Sequence, residues 1–411
     1  MKKKSFDIFL LLLIIFFVNC SENKKIISKE LFRHHFITDG LPDEKNSRYG
    51  TPILADLDRD GDLDYALSIT RGKFFWFEYD AGRWSQHTAG DIPTGQLGAN
   101  ILDVDQDGWI DMVTGGYWFR NPQQPKEREF ERYQYDDRIE TEIHDMVIAD
   151  INGDMMKDVV VLGDREGCYW YSVPENPIQN LNWPRTTITL DVLNERDDIH
   201  AGFFPQGIAD LDHDGDNDVV LPDRWFENNQ NGSSWSKHPL PWGKVGPWGL
   251  SSRSWIVDLD MDGDNDIVIV DCDQKESRGA ILENDGNIPP NFIMNPLPQP
   301  APGKRGSFHS LALSDFDGDG DLDIFTAEQQ DETILPEGAG PRGYIWENLD
   351  GKGKEFSEII IFDQMLGAHD ALIGDVDSDG DIDICFKVWP KWEYSSNSGR
   401  FHADFLENQL R

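Results

Sequence analysis

Short apolar runs bounded by polar turns recur along the chain, and no stretch sustains a helical period. An apolar lead-in such as Ile53-Leu54-Ala55, Val147-Ile148-Ala149 or Leu372-Ile373-Gly374 enters an Asp-rich turn. A β-branched run such as Val159-Val160-Val161 or Ile267-Val268-Ile269-Val270 leaves it. An aromatic segment follows, often ending in Glu-Asn: Trp76-Phe77-Glu78, Trp225-Phe226-Glu227-Asn228, Trp346-Glu347-Asn348, Phe405-Leu406-Glu407-Asn408. A polar turn then opens a fourth segment, as in Trp84-Ser85-Gln86-His87-Thr88 and Trp235-Ser236-Lys237-His238. Segments this short, rich in β-branched and aromatic residues and punctuated by turns, are strands. The unit is therefore four strands, and it repeats.

Seven Asp-rich nonamers anchor the repeat, with starts 47, 47, 60, 48, 57 and 60 residues apart. Four-stranded units recurring at this period arrange about an axis as propeller blades. The predicted fold is all-β, a seven-bladed β-propeller of four-stranded antiparallel blades with a calcium loop between the first and second strands of each. The chain divides into an export segment over 1–20, a linker over 21–30 and the propeller over 31–411. The seventh repeat ends after its third strand near Asn408, while an orphan segment, Phe32-Arg33-His34-His35-Phe36-Ile37-Thr38, precedes the first. Strand 31–38, supplied to the last blade, would pair an open edge and close the ring.

The spacing inside each nonamer has a chemical reason. Ca²⁺ takes six to eight oxygens at about 2.3–2.6 Å. Carboxylates at positions 1, 3 and 5 converge when the backbone curls, Gly at position 6 permits the turn, the position-7 carbonyl adds an oxygen and Asp at position 9 closes the shell. The expected ligands are Asp56, Asp58, Asp60 and Asp64 in the first repeat, and Asp103, Asp105, Asp107 and Asp111 in the second. They are Asp150, Asn152, Asp154 and Asp158 in the third, and Asp210, Asp212, Asp214 and Asp218 in the fourth. Asp258, Asp260, Asp262 and Asp266 serve the fifth, Asp315, Asp317, Asp319 and Asp323 the sixth, and Asp375, Asp377, Asp379 and Asp383 the seventh. The third copy departs from the pattern, with Asn152 at position 3 and Met155 in place of Gly, so six or seven ions are expected. Strands flank these loops where an EF-hand has helices.

Charge sharpens this picture. The nonamers hold 32 of the 76 Asp and Glu residues, a density that would repel itself without cations. A formal net charge of −39 excludes electrostatic attraction to nucleic acid or to an anionic membrane surface. Fourteen Trp argue against disorder. At the N-terminus, Lys2, Lys3 and Lys4 precede a run from Phe6 to Val18 that is apolar but for Asp7, too short for a membrane span and read as an export signal. It ends at Val18-Asn19-Cys20-Ser21, similar to a bacterial lipoprotein signal in which Cys20 is lipidated, although Phe17 and Asn19 depart from its small-residue pattern. Localisation at the outer membrane, cell surface or periplasm, with the membrane reached through the lipid alone, follows from that reading, and simple secretion is the alternative. Cys168, Cys272 and Cys385 are odd in number and sit in apolar strand patterns, as buried thiols do.

The nonamers and their flanking strands resemble the FG-GAP/VCBS repeat family, whose propeller also occurs in integrin α-subunits, over roughly residues 31–408. The resemblance implies loops that stabilise blades and take no part in chemistry. Function must then lie elsewhere. The longer repeats place their extra residues around 191–203, 239–251, 297–307, 331–342 and 389–400, on the face opposite the loops, and long connections on a rigid scaffold commonly carry function. His144, His309 and His369 each stand six residues before a nonamer, Asp145 and Asp370 follow two of them, and Arg253 lies near the same level. These are the candidate catalytic or ligand residues at the mouth of the axis. The same His residues could equally hydrogen-bond neighbouring strands together. Trp76, Trp118, Trp170, Trp225 and Trp346 repeat at the third strand as inter-blade packing, whereas Trp242, Trp248, Trp389 and Trp392 fall in the insertions as candidate ligand-stacking faces. The expected function is a surface binding module for a glycan or an extracellular or envelope protein. The alternative is a carbohydrate lyase or dehydratase, with a His as base or metal ligand and Arg253 neutralising an acidic substrate.

Overall fold

The computed structural model describes residues 27–43, 48–164, 166–192, 198–331, 334–336, 340–363, 366–389 and 399–410. The export segment, Cys20 and Trp392 lie outside the described residues, as do most of the linker and much of the 389–400 connection. Among the described residues the elements are β-strands, apart from a short 3₁₀ turn at Lys29–Leu31. None of these residues forms a helix long and apolar enough to cross a membrane.

In the first repeat, Ile53–Ala55, Asp64–Ser68, Lys73–Asp80 and Arg83–Asp91 pair in that order as an antiparallel meander. The second strand is buried at every residue, because neighbouring sheets cover both its faces. That is why second strands read as continuous apolar runs and not as alternation. The outer strand is partly exposed and carries polar residues. The inner strands Ala99–Leu102, Ile143–Ala149, Ile208–Ala209, Phe308–Ser314 and His369–Gly374 open five further four-stranded sheets. In the last of these the fourth strand is Phe32–Thr38, which pairs antiparallel with Ala403–Asn408 from Phe32–Asn408 to Thr38–Ala403.

Six sheets are thus four-stranded blades, and the fifth repeat departs from the expectation of seven alike. Its sheet holds seven strands. The meander Gly249–Val257, Asp266–Asp271, Gly279–Asn284 and Phe292–Pro296 is joined by Ile199–Ala201 and Pro205–Gln206, parallel to Gly249–Val257, and by Val245–Gly246, antiparallel to it. The cause is the length of the inner strand, nine residues here, whose edge N–H and C=O groups need partners. The long connections on either side of the fourth repeat supply them.

The inner strands adjoin in chain order, and His369–Gly374 returns to Ile53–Ala55. Apolar side chains fill the seams between sheets: Trp76 packs with Met112 and Phe119, Trp118 with Val159 and Val161, and Trp225 with Ile267 and Ile269. Trp346 packs back against Val268 and Val270. All four indoles are fully buried, so each third-strand Trp seals a seam.

Candidate functional site

Every nonamer begins where an inner strand ends and finishes on the first residue of the second strand, so the loops share one end of the ring. The position-6 N–H donates to the first carboxylate in all seven, at 2.8–3.2 Å. Position 6 has φ of 68° to 105°, and position 4 is also left-handed, from Gln106 at 56° to Gly318 at 76°. Only the first of these turns was expected. Met155 adopts the position-6 conformation at φ 68° with its side chain 90% exposed, so the third loop keeps the shape of the others.

Position 9 does more than was anticipated. Its Oδ2 accepts the position-2 N–H in every loop, at 2.8–3.3 Å. Its Oδ1 accepts an N–H at the end of the third strand in six, from Tyr79, Asn121, Asn228, Asn284, Asn348 and Asn408. This Asp therefore braces the blade, while an oxygen of Asp64 still lies within 4.8 Å of ligand atoms of Asp56 and Asp58.

Several buried oxygens in these loops, the Oδ1 atoms of Asp103, Asp105, Asp210 and Asp377, meet no hydrogen-bond donor among the described residues. Burial, followed by the charges of Asp212 and Asp210, pushes Asp218 up to about 8, and burial with the Asp60 charge pushes Asp62 to about 7. Oxygen-only donors with uncompensated charge fit a hard divalent cation. Some loops carry a protein cation instead. Arg120 Nε lies 2.5 Å from Asp105 and its Nη2 2.8 Å from Asp107. Lys126 reaches Asp58 at 2.5 Å, and Lys354 reaches Asp260 at 3.1 Å.

At the other end of the inner strands, about 20 Å away at 3.3 Å per residue, lies a cavity of about 330 Å³. His144, His309 and His369 line it, together with His200, Asp273 and Asp370. Trp248 and Trp389 form aromatic walls, and Arg48, Glu142, Asp164 and Asp331 are among the other lining residues. The imidazoles crowd together: ring centres are 4.3 Å apart for His144 and His200, 6.3 Å for His144 and His309, and 3.5 Å for His309 and His369. His369 also stacks on Trp389 at 5.0 Å.

Buried charge braces this cavity from behind. Arg253 donates to Asp145 at 3.2 Å and to Asp370 at 2.7 Å, tying the third, fifth and seventh repeats together. It is 1% exposed and already matched by two carboxylates, so its charge is committed inside the protein and not offered to a substrate. Asp145 in turn accepts N–H groups of Gly202 and Phe204, which positions the segment carrying His200. Burial opposes ionisation of Asp145, yet Arg253 and His144 hold it down to about 2. Burial depresses His144, with the charge of His200 adding to it, and holds His369 well below the usual imidazole range. Lys387, fully buried with Nζ 2.8 Å from His369 Nδ1, is lowered to about 8, chiefly by burial.

The three expected His residues are therefore together, and Trp248 and Trp389 are with them. Trp242 is not: it is buried beneath the Arg278 guanidinium, 4.3 Å from its ring centre. His200, Asp273 and Lys387 escaped the sequence reading. His200 sits in an insertion without a counterpart in other repeats, and Asp273 and Lys387 lie at or just past second-strand ends, where nothing marked their level. A larger groove of about 730 Å³ runs along the outer edge between Phe32–Thr38 and Arg83–Asp91. Within it His35 pairs with Glu407 at 2.7 Å.

The FG-GAP-like repeat family matches residues 258–326 and 315–386. No curated protein matches the chain. Among solved structures, YCF48 from Cyanidioschyzon merolae is similar at 10% identity and TM-score 0.50, covering 91% of this chain and 98% of its own. BBS1N, solved in complex with ARL6DN and soaked with lead, is similar at 10% identity and TM-score 0.53, covering 94% and 100%. At such identity these likenesses speak for the fold alone. The chain is a β-propeller that carries FG-GAP-like repeats over residues 258–386.

Proposed function

We propose that this protein is an exported, lipid-anchored propeller of seven blades, counting the enlarged fifth sheet as one, that binds a glycan in its axial pocket. Calcium in six or seven nonamers stiffens the scaffold, and lipid on Cys20 holds it at the envelope. The observation that carries this reading is the axial pocket itself, in which two indole faces stand beside imidazoles and carboxylates. Flat apolar walls with a few converging polar groups suit a sugar ring. The size of the pocket favours a glycan terminus over a protein. A cavity of about 330 Å³ is in the range of small-ligand sites, whereas a protein partner needs about 800 Å² of surface on each side.

The His–Asp pairs favour a second reading, elimination on an acidic sugar. A neutral, buried imidazole oriented by a carboxylate is a competent base. A panel of glycans presented to the purified chain separates the two, following binding and the absorbance of unsaturated sugars together. Saturable binding without product supports the module. Product formation lost in His369→Ala supports the enzyme, and neither result overturns both.

A further inference from the structure

Four imidazoles meet at the axis, and the Nδ1 of each faces a carboxylate. His144 Nδ1 lies 2.8 Å from Asp145, His200 Nδ1 3.2 Å from Asp164, and His309 and His369 Nδ1 lie 3.3 and 2.8 Å from Asp370. A carboxylate behind Nδ1 fixes the tautomer and ring orientation of a metal-ligating histidine, leaving Nε2 as the donor. His369 is set apart by its ring, which lies on Trp389; a cation also stands beside two of the Nδ1 atoms, Lys387 Nζ 2.8 Å from that of His369 and Arg253 Nη2 3.2 Å from that of His309.

Charge points the same way. Three carboxylates around the pocket, Asp145, Asp273 and Asp370, are buried, and the buried cations Arg253 and Lys387 are committed to Asp145 and Asp370. Asp273 meets Ser251 Oγ at 2.6 Å, Gln329 Nε2 at 3.1 Å and His309 Nε2 at 3.4 Å. No Lys or Arg is paired with this carboxylate among the described residues, an arrangement that is costly without a cation. Cys272, although adjacent, has its Sγ engaged by Ser251 Oγ at 2.8 Å, which leaves nitrogen and oxygen donors.

We propose that the axial pocket holds one transition-metal ion of the zinc class, ligated by His144, His200 and His309 with Asp273, within reach of the ligand. This rests on the reading of the pocket as the binding site. Three imidazoles and a carboxylate select such an ion over calcium, which prefers oxygen alone. The donors come from the third and sixth inner strands, an insertion and the end of a second strand, so no sequence spacing announces them.

Cobalt(II) is the probe, because its visible spectrum reports the donor set. The full chain, stripped of metal and returned to excess calcium, is titrated with Co²⁺ while metal per chain is counted by mass spectrometry. The expected result is saturation at about one ion, with affinity weakened about tenfold or more in His309→Ala and in Asp164→Asn. Asp164→Asn keeps the side-chain shape and removes the charge behind His200 at the pocket rim, which keeps the test valid if His309→Ala fails to fold. No saturable uptake by the unaltered chain, or uptake unchanged in Asp164→Asn and in any folded His309→Ala, overturns the inference. Cobalt bound without any glycan refutes the binding reading alone, and glycan bound by a chain that takes no cobalt refutes the ion alone.

Discussion

The residue just before the third-strand N–H that meets the position-9 carboxylate differs in one of the six repeats that make this contact. Glu78, Glu227, Glu283, Glu347 and Glu407 occupy it in five repeats, and Arg120 occupies it in the second. The Arg120 guanidinium bridges Asp105 and Asp107, where a calcium ion would otherwise sit. Under the calcium proposal this loop is neutralised from within, and Arg120→Glu should add about one ion per chain, counted by titration calorimetry. An unchanged count would show that Arg120 yields to the ion. The position-9 aspartates make a second prediction at this scale. Burial raises Asp64, Asp218, Asp323 and Asp383 to about 8 from an ordinary 3.8. A carboxyl raised on folding stabilises when protonated, so its contribution is full below the unfolded value and lost as pH rises through the folded one. The metal-free chain should therefore melt at progressively lower temperature as pH climbs from about 4 to about 8, and calcium should flatten that slope. A metal-free melting temperature independent of pH would contradict these environments.

At the scale of the element, the Glu-Asn ending of the third strand acquires a role. Asn228 donates through its N–H to Asp218 and through Nδ2 to Ile151 O of the preceding loop, and Asn284 does the same to Asp266 and Leu211 O. Asn121 and Asn408 likewise reach the preceding loop, at Leu57 O and Phe316 O, so each of these four clamps its own loop to its neighbour's. Asn228→Ala leaves buried acceptors unpaired and should cost about 1–3 kcal/mol in denaturant unfolding. Much of this was legible beforehand. Nonamer period, aromatic third strands and the closing strand Phe32–Thr38 are local patterns, repeated often enough to reinforce one another. His144, His309 and His369 were legible because their register against a nonamer is constant. What stayed hidden is set by long-range contact: the additional strands on Gly249–Val257, the commitment of Arg253 to Asp145 and Asp370, and the placement of His200 and Asp273. None of these repeats, and each depends on where a connection of irregular length returns to the axis.

For the whole molecule, closure and metal content govern stability. Removing residues 27–38 would leave Ala403–Asn408 as an open edge beneath Val376, Phe386 and Tyr79, and the truncated chain should aggregate on gel filtration where the intact one elutes as a discrete species. Chelation by EDTA should lower the melting temperature markedly, and an unaltered curve after verified metal removal would refute the calcium proposal. The placement of function at the axis, with the loops left to stability, is the claim on which the rest depends. Calorimetric titration of the best glycan from the panel into the unaltered chain, Trp389→Ala and Trp84→Ala tests it most directly. The account predicts a loss of about tenfold or more in Trp389→Ala at the axis, with affinity kept in Trp84→Ala on the outer groove. Equal affinity in the first and loss in the second would place the ligand on the wrong side of the molecule for everything argued about the pocket.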